Sequence, residues 1–214
     1  MVLAMAEVKG SKPTRREKAA ATRERMIAAA QAVFAEEGYV GARMTDIAAR
    51  AGVAVQTLYF AFHTKGELLQ ACYDHAVLGP DRLPPAEQPF YAEVFKARSG
   101  RAALTAFARG NGIIVARVAA LDQAARAATT EPDAVEVRER SEQLRRAGYR
   151  AIAEHVAVRF GLRSGLDVDG ATDIMLVLGS GAPYLMLREY GWDDERYVAW
   201  VADALATQLL ARPR

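Results

Sequence analysis

Residues 45–69 read TDIAARAGVAVQTLYFAFHTKGELL. Ile47, Ala48 and Ala51 fall on one face of a short helix, which Thr45 is placed to cap. Gly52 then permits a left-handed turn, and Val53 sends an apolar side chain beneath it. A second short helix follows, over about Val55–Phe62. Thr64-Lys65-Gly66-Glu67 fits a capping box opening a further helix, with Leu68, Leu69, Cys72, Tyr73 and Ala76 along its inner stripe. Two short helices held at a steep angle across a glycine turn form a helix-turn-helix, whose second helix can enter a DNA major groove.

Upstream, Thr14-Arg15-Arg16-Glu17 is another capping box, and Ile27, Ala30, Val33 and Phe34 recur at helical spacing until Gly38, predicting a helix over 15–37. Residues 1–14 read as a flexible arm; with the start of that helix it supplies Lys9, Lys12, Arg15, Arg16 and Lys18 against Glu17 alone, a stretch that could lie on phosphates or in a minor groove. The predicted head is therefore a three-helix bundle with a helix-turn-helix, closed by the following helix, over 15–78.

The string 45–69, with Phe34 and Gly38 before it, resembles the TetR family of repressors over about residues 20–77. The shared order is threonine, isoleucine-alanine, alanine-glycine-valine, threonine-leucine-tyrosine, a phenylalanine, a lysine and a leucine pair. The resemblance implies DNA contacts, and the residue chemistry agrees with them. Thr45, Thr57 and Tyr59 carry hydroxyls suited to phosphate oxygens, Lys65 matches the family's phosphate-touching lysine, and Arg43 could lie along the backbone. Gln56 can pair bidentately with adenine, while Val55 and Phe60 can meet a thymine methyl or sugar. Ala54 and Ala61 depart from the pattern, which often has a capping serine and a histidine there.

Residues 79–89, GPDRLPPAEQP, mark a boundary with four prolines. Helical patterns follow at 90–98, 101–128, 133–161, 170–190 and 193–211, so the fold class is all-α, with a larger helical domain over 79–214. The last two patterns are too apolar for a single core face: Ile174–Leu178 is apolar almost all round, and Tyr197, Trp200, Val201, Leu205 and Leu209 form a wide stripe. The family resemblance implies a homodimer through about 171–190 and 194–210, reading a palindromic double-stranded operator with two heads. It also implies a small-molecule effector pocket in this domain, for which Phe90, Phe95, Phe107, Asn111, Ile114, Tyr149, Met175 and Tyr184 are candidates. Pro183 should kink or restart its helix, and the charged run 137–150 reads as a solvated, self-paired face.

Composition sets the outer bounds. The chain has 214 residues, 51% of them hydrophobic, a net charge of only +2 and a single cysteine. One cysteine excludes an intramolecular disulfide and a cysteine-built zinc site. The amino terminus does not read as a signal peptide, and no uninterrupted apolar run approaches the ~20 residues of a membrane span. These features predict a cytoplasmic protein with no cofactor, metal or membrane. No HExxH, Gly-x-Ser-x-Gly or phosphate-cradling glycine loop appears, which argues against an enzyme. The expected function is a DNA-binding transcriptional regulator, a repressor released by its effector. The competing readings are a regulator that senses oxidants through Cys72 or metal through His75, and a helical interaction module that has lost DNA binding.

Overall fold

A computed structural model describes residues 14–211. Within them lie ten α-helices and no strand. The basic residues Lys9 and Lys12 fall outside the described residues, whereas Arg15, Arg16 and Lys18 are exposed on the first turn of α1 (Arg15–Gly41).

The capping box that opens α1 forms in full: Glu17 N–H donates to Thr14 Oγ1 at 3.2 Å, and Thr14 N–H donates to the Glu17 carboxylate at 2.6 Å. Gly38 stops the regular helix, as the sequence implies, with φ 73° and ψ 167°; residues 39–41 form a separate last turn. Next come α2 (Met44–Ala51), α3 (Val55–Ala61) and α4 (Lys65–Leu78). Gly52 closes α2 in the left-handed conformation, with φ 67° and ψ 40°.

Two cap assignments are corrected. Arg43, not Thr45, is the N-cap of α2, and no side chain caps that end. At α4 only half of the predicted box forms: Glu67 N–H donates to Thr64 Oγ1 at 3.0 Å. The Glu67 carboxylate reaches back one residue further, accepting from His63 N–H at 3.2 Å and meeting His63 Nδ1 at 3.1 Å.

The proline-rich boundary folds rather than trailing as a linker. Pro85–Glu87 makes a 3-10 turn, and Gln88 Nε2 donates to the Val77 and Leu83 carbonyls, both at 3.0 Å. Then come α5 (Pro89–Lys96), α6 (Gly100–Ala127), α7 (Pro132–Phe160), α8 (Val168–Leu178), α9 (Gly181–Glu189) and α10 (Asp194–Leu209). The helix expected over 170–190 is thus two helices, divided at Gly179-Ser180, with Pro183 in the first turn of the second, where its missing N–H costs nothing.

α6 is the axis of the molecule, packing on α1, α4, α5, α7, α9 and α10. By length and mean composition alone, α6 and the α8–α9 stretch are apolar enough to cross a bilayer, although arginines interrupt the apolar run of α6. Here α6 is mostly buried in the protein's own core, and α8–α9 is broken midway.

Two apolar cores result. One joins Ile27, Phe34, Ile47, Leu58, Leu68 and Cys72 of the head to Leu121, Ala124 and Ala125 of α6 and Ala134 and Val137 of α7. The other lies among α5–α10, around Phe107, Ile152, Met175, Tyr197 and Leu205. The boundary near residue 79 separates chain segments but not cores, because the larger domain completes the core of the head.

Candidate functional site

The outer face of the helix-turn-helix follows from what its inner face buries. Leu58 points into the head core with no exposed surface, and Phe62 at the C-cap of α3 is buried beside it. That orientation leaves Gln56, Thr57, Tyr59 and Phe60 exposed on α3 and Val55 half-buried at its start. Arg43 and Thr45 are exposed at the start of α2. Phe60 is 88% exposed, an apolar ring projecting fully from a seven-residue helix.

Lys65 is placed differently. Its Nζ donates to the Tyr39 carbonyl at 2.8 Å and the Ala42 carbonyl at 3.3 Å, and lies 4.4 Å from the centre of the Tyr39 ring. It joins α4 to the chain between α1 and α2, with one of its three ammonium hydrogens left over.

Two arginines that the motif does not flag fasten α1 to the helix-turn-helix. Arg23 Nη1 donates to the Ala61 carbonyl at 3.3 Å and stacks 4.2 Å above the Phe62 ring. Arg25 Nε meets the Ala51 carbonyl at 3.5 Å. Both cations sit at helix C-termini, where they complement the exposed carbonyls. In the sequence they show only as arginines on either side of Glu24, two positions apart on a helix and so not on one face, a spacing that carries no signal of its own.

Beside the head, a cavity of about 470 Å³ opens between α4, the proline turn, α5, α6, α7 and the α8–α9 break. Phe90, Phe107, Asn111, Ile114 and Tyr149 line it, as proposed from sequence. Phe95, Met175 and Tyr184 are not in its wall. Phe95 stacks on His155 and Tyr91 near the surface, Met175 is fully enclosed in the core, and Tyr184 packs on Tyr197 and donates to Asp194.

The sequence missed the wall contributed by α4, namely Gln70, Tyr73, Asp74, Val77 and Leu78, together with Pro84 and Pro85. It also missed Asp122, Glu142 and Arg145. The run 137–150 is therefore not wholly solvated. Arg145 lies against the Tyr149 ring, donates three times to the Glu142 carboxylate at 2.8, 2.9 and 3.1 Å, and reaches the Leu176 carbonyl at 3.2 Å.

The polar groups of the wall hold one another. Tyr73 Oη donates to Asp122 at 3.2 Å, and Arg126 bonds the same carboxylate at 2.7 Å. Burial, with the Asp122 charge second, raises the Tyr73 phenol well above its ordinary range. Tyr149 donates to Asn111 Oδ1, and Asn111 Nδ2 donates to the Gly179 carbonyl at 3.0 Å. Burial pushes the Tyr149 phenol up to about 12, against the opposing pull of Arg145.

The two side chains considered as sensors lie elsewhere. Cys72 has no exposed surface, its thiol points at the Ile27 carbonyl at 3.7 Å, and burial pushes its pKa up, leaving little thiolate for oxidants. His75 pairs with Glu24 at 3.0 Å, and among the described residues no group of three His, Cys, Asp or Glu side chains is arranged to hold a metal.

Residues 26–72, which contain α2, α3 and the adjoining parts of α1 and α4, match the family of bacterial regulatory proteins named tetR. The head is a TetR-family domain. The TetR-like fold extends over the rest of the chain. A TetR-family regulator from Rhodococcus sp. is 19% identical, with a TM-score of 0.64, covering 88% of this chain and 98% of that one. One from Chloroflexus aurantiacus is 21% identical with a TM-score of 0.63, covering 91% and 99%. The regulator FadR of Bacillus subtilis, solved in complex with stearoyl-CoA, is 17% identical with a TM-score of 0.63, covering 85% and 95%. No curated protein matches the chain in sequence. With a TetR-family head in a TetR-like fold, the chain is a DNA-binding transcriptional regulator.

Proposed function

We propose that this regulator is a cytoplasmic, non-enzymatic repressor, a homodimer that occupies a palindromic operator until a small molecule enters the cavity of each protomer. The observation that carries this reading is the double duty of α4. Its residues Leu68, Leu69 and Cys72 belong to the core under α2 and α3, while Gln70, Tyr73, Asp74, Val77 and Leu78 line the cavity. A molecule filling about 470 Å³ beside α4 presses on the helix that orients the DNA-reading face.

The DNA contacts divide by chemistry. Thr45, Thr57, Tyr59 and Arg43 serve phosphates and set the register; Gln56, with Val55 and Phe60, reads base edges and methyl groups. Lys65 contributes its remaining hydrogen to the backbone or acts only as an internal tie. Two heads on one DNA require a fixed separation, supplied by pairing through 171–190 and 194–210. Val177 of α8, Met186 of α9 and Tyr190 at the C-cap of α9 are exposed large apolar side chains there, available for such a pairing.

Release follows from linkage. An effector that binds the free form about 100-fold more tightly than the DNA-bound form weakens operator affinity by the same factor, about 2.7 kcal/mol. The test is a mobility shift of the full-length protein on the DNA upstream of its own gene, repeated across salt concentrations. A retarded, salt-sensitive complex with two protomers per site is expected. No shift at low salt would favour the interaction module instead.

A further inference from the structure

The cavity has a polarity pattern that selects its occupant. This step rests on reading the cavity as the effector site. Its wall is mostly aliphatic and aromatic, and its most buried polar groups are neutral: Tyr73, whose proton is spent on Asp122, is 3% exposed, Asn111 5% and Tyr149 8%. The charged side chains in the wall, Asp74, Asp122, Glu142 and Arg145, are all less buried. Three of these four are carboxylates, and the single cation, Arg145, is already committed to Glu142 and the Leu176 carbonyl.

At the deep end, bonding capacity remains. Asn111 uses one amide hydrogen on the Gly179 carbonyl and one oxygen lone pair on Tyr149, keeping one N–H and one lone pair free. The Tyr149 hydroxyl has spent its proton, with Asn111 Oδ1 and the Gly179 carbonyl, at 3.3 Å, both facing it, and its oxygen can still accept. A carboxylate only accepts, so it would find a single N–H and face two oxygens and an acidic wall. An ammonium only donates: Asp122 is already taken by Tyr73 and Arg126, Glu142 by Arg145, and Asp74 is exposed, so beside Asn111 and Tyr149 it would leave water for neutral acceptors, a poor exchange for a full charge. A hydroxyl both donates and accepts, matching what is left.

The geometry points to a neutral, mainly apolar effector carrying one hydroxyl, a phenol or an alcohol, that docks head-first on Asn111 and Tyr149. A long-chain acyl-CoA, the ligand held by FadR of Bacillus subtilis, is an anion and belongs to the excluded class.

Four probes sharing one body separate the possibilities: 4-butylphenol, 4-butylbenzoate, 4-butylbenzylammonium and butylbenzene, titrated calorimetrically into the full-length protein and its Tyr149→Phe and Asn111→Ser variants. The phenol is expected to bind about 3- to 10-fold more tightly than butylbenzene, the net worth of one added hydrogen bond, and the two ions more weakly than either. Tyr149→Phe, which keeps the ring, should remove most of the phenol's advantage and leave butylbenzene unchanged. Asn111→Ser supplies the same comparison if the phenylalanine variant folds poorly. Benzoate or ammonium binding as well as the phenol, or a phenol advantage that survives both substitutions, overturns the proposal while leaving the cavity as a ligand site. If butylbenzene and every other probe fail to bind, the reading of the cavity falls, and the proposal with it.

Discussion

The head and the larger domain are built from the same material, amphipathic helices on an apolar core, but they place the side chains of their candidate sites in opposite ways. In the head, Gln56, Thr57, Tyr59 and Phe60 face outward from one seven-residue helix, so the surface is local in sequence. In the larger domain the candidate site faces inward, a cavity whose wall draws on helices from Gln70 to Gly181. The first kind of site can be read along the chain. The second exists only where distant helices converge, and α4 belongs to both.

The comparison breaks most readily at the shared core. Leu58→Ala removes a fully buried side chain from α3 and should cost about 2–5 kcal/mol. Both tryptophans, Trp192 and Trp200, lie in the larger domain, so their fluorescence reports that region while far-ultraviolet circular dichroism reports the whole chain. Because α6 and α7 complete the head core, the two unfolding transitions should fall together. A tryptophan transition that stays at its wild-type temperature would show two independent regions.

Gly110→Ala acts on the inward site alone. A methyl there would lie 1.9 Å from the Phe90 ring, which must move within the cavity wall. Overpacking of this kind typically costs about 1–3 kcal/mol. Butylbenzene affinity should drop while operator affinity of the ligand-free protein holds; equal losses in both would mean that the cavity wall and the head cannot be perturbed separately.

Gln56→Ala is the converse test, on an exposed residue. It should weaken operator binding by about tenfold or more at one base position, with little change in melting temperature. A uniform loss across operator variants would reassign Gln56 to phosphate contact. The smallest effect expected has the opposite sign. Ala54 caps α3 with no side-chain acceptor, so Ala54→Ser should stabilise the protein by about 0.5–1 kcal/mol in thermal denaturation.

Individual residues show how far the sequence reaches. Five of the eight cavity residues proposed from it line the cavity, all on α5, α6 or α7. Met175 and Tyr184 have the same composition signal but sit behind the wall, and periodicity cannot distinguish the core side of a buried helix from its cavity side. Tyr73 was legible as an inward residue of α4, though not as one bonded to Asp122, forty-nine positions away. Arg145 looked solvated because a partner three residues back, Glu142, is the usual mark of an exposed helix face.

The sequence by itself determined the all-α class, most helix limits, the turn at Gly52 and the outer face of α3, because caps, glycine conformation and the 3.6-residue period act over a few neighbouring residues. Tertiary structure alone decided that α6 and α7 close the core of the head, that Lys65 turns onto the Tyr39 and Ala42 carbonyls, and that a cavity remains beside α4. Those outcomes depend on how helices far apart in the chain pack and on the space they leave unfilled, which no local pattern encodes.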